Sequence, residues 1–391
     1  MTKRIPLSEP TLNGREAGYI TECLETNWVS SGGRFVTAFG KACAELAGAR
    51  FGVPVVNGTA ALHLAILLAG VKPGEEVIIP ALTFIGSAAG VRHAGAHAAI
   101  IDVDPVTWQL DPAAVGRFLR KGCERTAGGV VNRETRRRVA AIMPVHLLGH
   151  PCDMDPLLEL AREFNLKVIE DAAEAVGARY KGRLVGGIGD LGCFSFNGNK
   201  TFTCGGGGAI VTNDEKLAQR GEYLSTQAKD DSVLFIHKEV GFNYRLTNLA
   251  AAMGVAQLET SEKYLAKKKA INARYRKGLA GVKGITFMGA ANWADSSMWL
   301  TTVRIDPAKT RRSNLELMRS LQAPGDGRPA IETRLLWQPM HRSDALKESF
   351  RTPAPVADAI YAEALSLPSS VGLTEDDQSR VIAALTANLG G

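Results

Sequence analysis

The amino-acid sequence predicts an α/β protein: a large, mostly parallel sheet of about seven strands, followed by a smaller C-terminal α+β unit. Three observations lead there. Short apolar runs alternate with helical patterns from about residue 50 to residue 215, as strands joined by helical crossovers do. The run Val53-Pro54-Val55-Val56 reads as a strand that passes through Asn57-Gly58-Thr59 into a helix. Two more buried strands, 191–196 and 209–211, enclose a polar, glycine-rich loop that carries Lys200.

Taken in order, residues 1–15 read as extended, because Pro6 and Pro10 block a helix. A helix follows over 15–26. The loop Asn27-Trp28-Val29-Ser30-Ser31-Gly32-Gly33 suits either a surface turn or a ligand-facing lid. An amphipathic helix covers 34–48. Strands are expected at 53–56, 76–80, 98–103, 140–145 and 166–170, with helices at 84–94, 111–121 and 153–164. Residues 181–190 form a glycine-rich connection. After the strand at 209–211 come a helix, a small-residue helix ending near 259 and a charged helix over 260–279. Strands near 285 and at 298–305, a helix at 312–322, the segment 331–341 and a helix at 374–389 complete the smaller unit. The reading divides the chain into 1–255 and 256–391.

Composition narrows the class. The 391 residues are 45% hydrophobic and 22% charged, which is ordinary globular usage. The net charge of +6 is scattered, and aromatics are few. A small anionic ligand such as a nucleotide suits that bias better than nucleic acid does. The densest basic run, Arg133 to Arg138, reads as a solvated loop or helix face. Six cysteines contain no CxxC pair, so no zinc site and no disulfide framework are expected. The N-terminus has no apolar signal core, and no apolar run reaches transmembrane length. A cytoplasmic protein with no membrane partner is the expectation.

The chemistry concentrates at strand ends. In open α/β sheets ligands bind beyond the carboxyl ends of the strands. Thr59, Phe84, His146 and Asp171 each fall just after such an end and are expected to meet in one crevice. The first amides of the helix after Asn57 make an anion site, and Gly58 permits close backbone approach. Asp171 stands beside Glu170, and two adjacent buried acids are costly unless one is paired. Lys200 reads either as a solvated loop lysine, the usual fate of the type, or as a lysine held in a closed site, where it is suited to bonding a carbonyl carbon. Neither G-x-G-x-x-G after the first strand nor a Walker A motif occurs, which argues against a dinucleotide dehydrogenase.

Six segments occur in a telling order: Asn57-Gly58-Thr59-Ala60-Ala61-Leu62, Thr83-Phe84, Pro144-Val145-His146, Glu170-Asp171-Ala172-Ala173-Glu174-Ala175, Phe194-Ser195-Phe196-Asn197-Gly198-Asn199-Lys200 and Gly241-Phe242-Asn243-Tyr244-Arg245-Leu246-Thr247-Asn248. As a set they resemble the DegT/DnrJ/EryC1/StrS family of pyridoxal-phosphate-dependent nucleotide-sugar aminotransferases. The likeness runs from about Ile5 to the C-terminus. It implies the fold-type I, aspartate aminotransferase-like architecture, with 1–255 as the cofactor-binding domain. It also implies a homodimer with shared active sites.

Carried over residue by residue, Lys200 resembles the lysine that bears pyridoxal 5′-phosphate, and Asp171 the acid that pairs with its ring nitrogen. Phe84 resembles the aromatic stacked on the ring. Gly58, Thr59 and Ser195 match the phosphate cradle, and Asn243 the residue donated by the other subunit. Glu174 stands where many members have Gln, near the cofactor's 3′-oxygen. The implied reaction moves an amino group, with L-glutamate the expected donor, onto C4 of a nucleotide-linked 4-keto-6-deoxy sugar. Ile5 to Pro10, Thr26 to Ser31, Asn197-Gly198-Asn199-Lys200, the four glycines after Cys204 and Glu332-Thr333-Arg334 resemble members acting on UDP-linked N-acetyl sugars of the bacillosamine or legionaminic acid type. GDP-perosamine synthases share much of the pattern and are the alternative. Trp28, Ser30, His146, Arg334 and His341 are the expected substrate contacts, and no metal is expected. A non-catalytic relative that only binds or regulates is the competing class; the presence of both Lys200 and Asp171 argues against it.

Overall fold

The computed structural model describes residues 4–231, 233–323 and 329–389. The larger unit begins with α1 (Arg15–Glu25), α2 (Arg34–Ala47), β1 (Phe51–Val55), α3 (Gly58–Leu68), β2 (Glu76–Pro80), α4 (Ile85–His93) and β3 (His97–Ile101). It continues through α5 (Pro112–Arg117), β4 (Cys123–Thr126), β5 (Gly129–Asn132), β6 (Arg138–Ile142), α6 (Met154–Phe164) and β7 (Lys167–Asp171). Then come β8 (Leu191–Ser195), β9 (Gly208–Thr212), α7 (Glu215–Ser225), α8 (Asn248–Leu258) and α9 (Ser261–Gly278). The remainder is β10 (Ile285–Phe287), β11 (Thr301–Ile305), α10 (Asn314–Gln322), β12 (Arg334–Leu335), β13 (Phe350–Arg351), α11 (Pro355–Glu363), β14 (Ala364–Leu367) and α12 (Glu375–Leu389).

Ten strands make one sheet, ordered β1-β9-β8-β7-β6-β2-β3-β13 with the hairpin β4–β5 attached to β6. Its core is the seven strands that the alternation of apolar runs pointed to. From β8 to β13 neighbours along this order are parallel, whereas β9 runs antiparallel to both β1 and β8. Alternate residues of each strand enter different cores. On β2, Val77 and Ile79 join Leu64, Ile66 and Val91 of α3 and α4. Ile78 joins Phe39, Leu157 and Ala252 of α2, α6 and α8 on the other face. Both faces are covered, so the parallel strands are unbroken apolar runs.

A third core surrounds the four-stranded sheet β10-β11-β14-β12, with Ile271, Tyr275, Val303, Leu317, Leu365 and Leu385. Ile5 belongs to it and bridges Ile331. Strand β13, by contrast, pairs with β3 at the edge of the large sheet.

One stretch departs from expectation. The helix expected over 111–121 stops at Arg117, widens into a π-turn over 118–122 and gives way to the β4–β5 hairpin. Gly122 ends the turn, and Gly129, at φ 118°, lets the chain reverse. The basic run that follows is matched acid by acid: Arg133 and Arg136 with Glu124, Arg137 with Glu76, Arg138 with Glu75. No helix among the described residues is long and apolar enough to cross a membrane.

Candidate active site

The pleat sends the two acids at the end of β7 to opposite faces. Glu170 is fully buried and accepts from His146 Nε2 at 2.9 Å and from the N–H groups of Gly186, Ile188 and Gly189 at 2.7–2.8 Å. Burial pushes its carboxyl up, but these donors outweigh it and hold the group below the usual range. Asp171 faces the other way. It accepts from Ser87 Oγ at 2.6 Å and from the Ala173 N–H at 3.2 Å. Burial pushes its carboxyl up; Ser87, the Ala173 amide and the Lys200 charge oppose the shift without reversing it. Thr83 Oγ1 lies 2.8 Å from Ser87 Oγ. Because the Ser87 proton is directed at Asp171, Thr83 is the donor to Ser87.

Helix α3 starts against the end of β8. A Cβ on Gly58 would lie 2.7 Å from Ser195 Cβ, so only glycine allows this approach. Asn57 caps the helix, its Oδ1 accepting from the Ala60 N–H at 2.8 Å. The other free amides of the first turn, with the hydroxyls of Thr59 and Ser195, are left for an anion.

Lys200 lies on the connection between the antiparallel strands β8 and β9. Its Nζ is 3.5 Å from Glu174 Oε1 and 3.9 Å from the centroid of the Trp299 ring. Glu174 also accepts from the Leu148 N–H at 2.8 Å, presented by a left-handed residue at φ 58°. Burial pushes the Glu174 carboxyl up, against the Lys200 charge and that amide. Trp299 stacks on Trp337, which meets Phe84 edge to face at 5.8 Å. These groups enclose a cavity of about 200 Å³.

Gly58, Thr59, Phe84, Asp171, Glu174, Ser195, Lys200 and Arg334 all line it. Five of the expected residues do not. His146 is fully buried, its Nδ1 accepting from the Cys152 N–H and its Nε2 donating to Glu170. It is a core residue, not a substrate contact; Val145, one position earlier, is the one that reaches the cavity. His341 sits on a short turn and meets Asp358 of α11 at 2.9 Å, outside the cavity. Trp28 and Ser30 are exposed and lie outside the cavity, their carbonyls bound by Asn248 Nδ2 and N–H. Asn243 is exposed and is not among the residues that line its own chain's cavity. Sequence reasoning missed Ser87, Trp299 and Trp337, which stand in an ordinary helix and in loops with no local signature.

The DegT/DnrJ/EryC1/StrS aminotransferase family matches residues 10–386. The chain belongs to that family. GDP-perosamine synthase of Caulobacter vibrioides is 41% identical over 383 residues, covering 98% of this chain and 97% of the relative. GDP-perosamine synthase of Escherichia coli O157:H7 is 35% identical over 374 residues, covering 96% and 95%. Among solved structures, DesI in the presence of its TDP-sugar product superposes with a TM-score of 0.87 at 29% identity, covering 99% of this chain and 93% of that one. The protein is an enzyme, a pyridoxal-phosphate-dependent aminotransferase; the expected α/β fold of that class is the one described above. The non-catalytic reading falls away with that membership.

The cavity fits the cofactor. It offers an amine at Lys200, a buried acid across from it at Asp171, and a helix N-terminus with two hydroxyls for a phosphate. The glycine at 58 leaves the room that a Cβ would fill.

Proposed function

We propose that this aminotransferase moves an amino group from L-glutamate to C4 of a GDP-linked 4-keto-6-deoxyhexose, with pyridoxal phosphate held covalently on Lys200. The observation that carries the reading is the convergence of Lys200, Asp171, Glu174, Ser195 and the first turn of α3 on one cavity. When bound, the cofactor supplies an electron sink and a carrier for the amino group. The chain supplies position and charge. The α3 amides, Thr59 and Ser195 bind the phosphate. Asp171, oriented by Ser87, faces the ring nitrogen and holds a proton there. Phe84 offers its half-exposed ring to the cofactor's face. Lys200 Nζ, when free, takes a proton from the donor's α-carbon and returns one to C4 of the sugar.

GDP replaces UDP as the preferred nucleotide because both perosamine synthases above match over almost their full length. Among the segments that suggested UDP, Asn197, Asn199, Lys200, Gly207 and Arg334 line the cavity, whereas Ile5 to Pro10 and Thr26 to Ser31 do not. The test is a panel of GDP-, UDP- and dTDP-linked 4-keto-6-deoxy sugars with glutamate, ranked by kcat/KM. A clear preference for the UDP-linked N-acetyl sugar returns the assignment to the bacillosamine type.

The proposal includes a homodimer in which Asn243 completes the partner's phosphate site. Two facts support it. Asn243 is exposed and does not line its own chain's cavity. The connection just before it exposes Val233, Leu234, Phe235 and Val240, the last at 92%, an apolar surface that a second copy can cover.

A further inference from the structure

Lys200 is held by more than its loop. The Lys200 side chain is 13% exposed and that of Glu174 6%, so the ammonium has lost most of its water. A desolvated ammonium gains more from an aromatic face and a carboxylate than an exposed one does. The aromatic face is that of Trp299, itself 1% exposed. The same indole donates from Nε1 to the carbonyl of Asn199 at 2.9 Å. That carbonyl also accepts from Ser8 Oγ at 2.9 Å. Trp299 is fixed in turn by stacking on Trp337, with 6.1 Å between centroids and 6° between planes. One side chain therefore holds both the residue before Lys200 and the amine of Lys200.

We propose that Trp299 is a positioning residue for Lys200: with Glu174 it cradles the lysine's ammonium whenever that lysine is not bonded to the cofactor. The inference rests on Lys200 being the cofactor-bearing lysine, as proposed above. A cofactor held there would carry the amino group in place of its bond to the lysine, so Lys200 would be free during part of every cycle. A four-carbon stem has many rotamers. A fixed perch keeps Nζ within reach of the carbon it must bond again and of the carbons between which it carries protons.

Three proteins test this: Trp299→Leu, Trp299→Phe, and full-length chain with a ring-fluorinated tryptophan at 299. Fluorination keeps the indole's shape and N–H but weakens the negative face that attracts a cation. Each is stripped of cofactor and reloaded, with visible absorbance giving the loading rate and borohydride reduction followed by peptide mass giving the lysine labelled. Steady-state kcat and KM are then measured on the loaded enzyme. Trp299→Leu should slow loading and lower kcat roughly tenfold, with KM for the keto sugar within about twofold of wild type. Trp299→Phe should stay within about threefold of wild type, and the fluorinated protein should fall by about threefold in both rates. A fluorinated protein that loads and turns over like wild type overturns the proposal, and so does Trp299→Phe as slow as Trp299→Leu. If the leucine variant fails to fold, the fluorinated protein decides alone. A wild-type label on a lysine other than Lys200 overturns the functional reading and this inference with it, whereas a label on Lys200 with indifferent variants removes the cradle only.

Discussion

Replacing Lys268 by methionine should stabilise the protein near neutral pH and destabilise it in alkali. Lys268 lies on α9, is 2% exposed, and donates from Nζ to the carbonyl of Ser369 at 2.5 Å. No carboxylate pairs with it among the described residues. Burial lowers its pKa from 10.5 to about 7. Between those values the unfolded chain carries one proton more than the folded chain, so stability rises with pH by about 1.4 kcal/mol per unit. Across the window the change amounts to about 5 kcal/mol. Below pH about 7 both states are protonated and the penalty is constant. Methionine removes the charge and keeps most of the stem. It also strips Ser369 of its donor, which costs about 1–3 kcal/mol. The variant should therefore be more stable than wild type by about 2–4 kcal/mol at pH 7. Near pH 10.5 it should be less stable by about 1–2 kcal/mol. Thermal unfolding of both proteins in matched buffers across this range measures the difference, from which other titrating groups cancel. At about 1–2 °C per kcal/mol for a chain of this length, the difference in Tm should change sign. A difference that stays constant with pH, or that moves the other way, refutes the reasoning.

Other outcomes follow from the cavity. Asp171→Asn should retain cofactor but lose turnover roughly a hundredfold, since an amide cannot hold the proton on the ring nitrogen; near-normal kcat would mean that another acid does so. Gly58→Ala should weaken cofactor retention roughly tenfold, because its Cβ meets Ser195 Cβ at 2.7 Å and prises α3 from β8; full absorbance after dialysis would show that the gap tolerates a methyl group. Lys200→Ala and Asn243→Asp, each nearly inactive alone, should regain about a quarter of intact sites when refolded together. Proven mixed dimers without activity would remove the shared-site proposal and leave the aminotransferase standing.

The fold was legible where one face rule governs a run of residues. Strands such as Val77-Ile78-Ile79 are apolar on both faces, and that alone marks a covered parallel sheet. That Asp171 and Lys200 would line one cavity was legible because Asp171 ends a strand, Lys200 sits in the loop between two buried strands, and both belong to a recognisable series. The error at His146 is one of parity: Val145 bridges Asp171 and reaches the cavity, so the next side chain points to the other face, towards Glu170. Ser87 and Trp299 were invisible for another reason. Ser87 is 84 residues from Asp171 in sequence, and Trp299 meets Asn199 across a separation of 100. Neither residue type announces such a partner. The β4–β5 hairpin was hidden by a helical pattern that the chain abandons at a π-turn.

The most direct measurement is the mass of the sugar product. Cofactor-loaded enzyme is given GDP-4-keto-6-deoxyhexose and 15N-labelled glutamate. The sugar nucleotide should gain the mass difference for replacing a carbonyl oxygen by a labelled amino group, with 2-oxoglutarate formed in equal amount. Sugar nucleotide that comes back unlabelled, from every keto sugar of the panel, would contradict it.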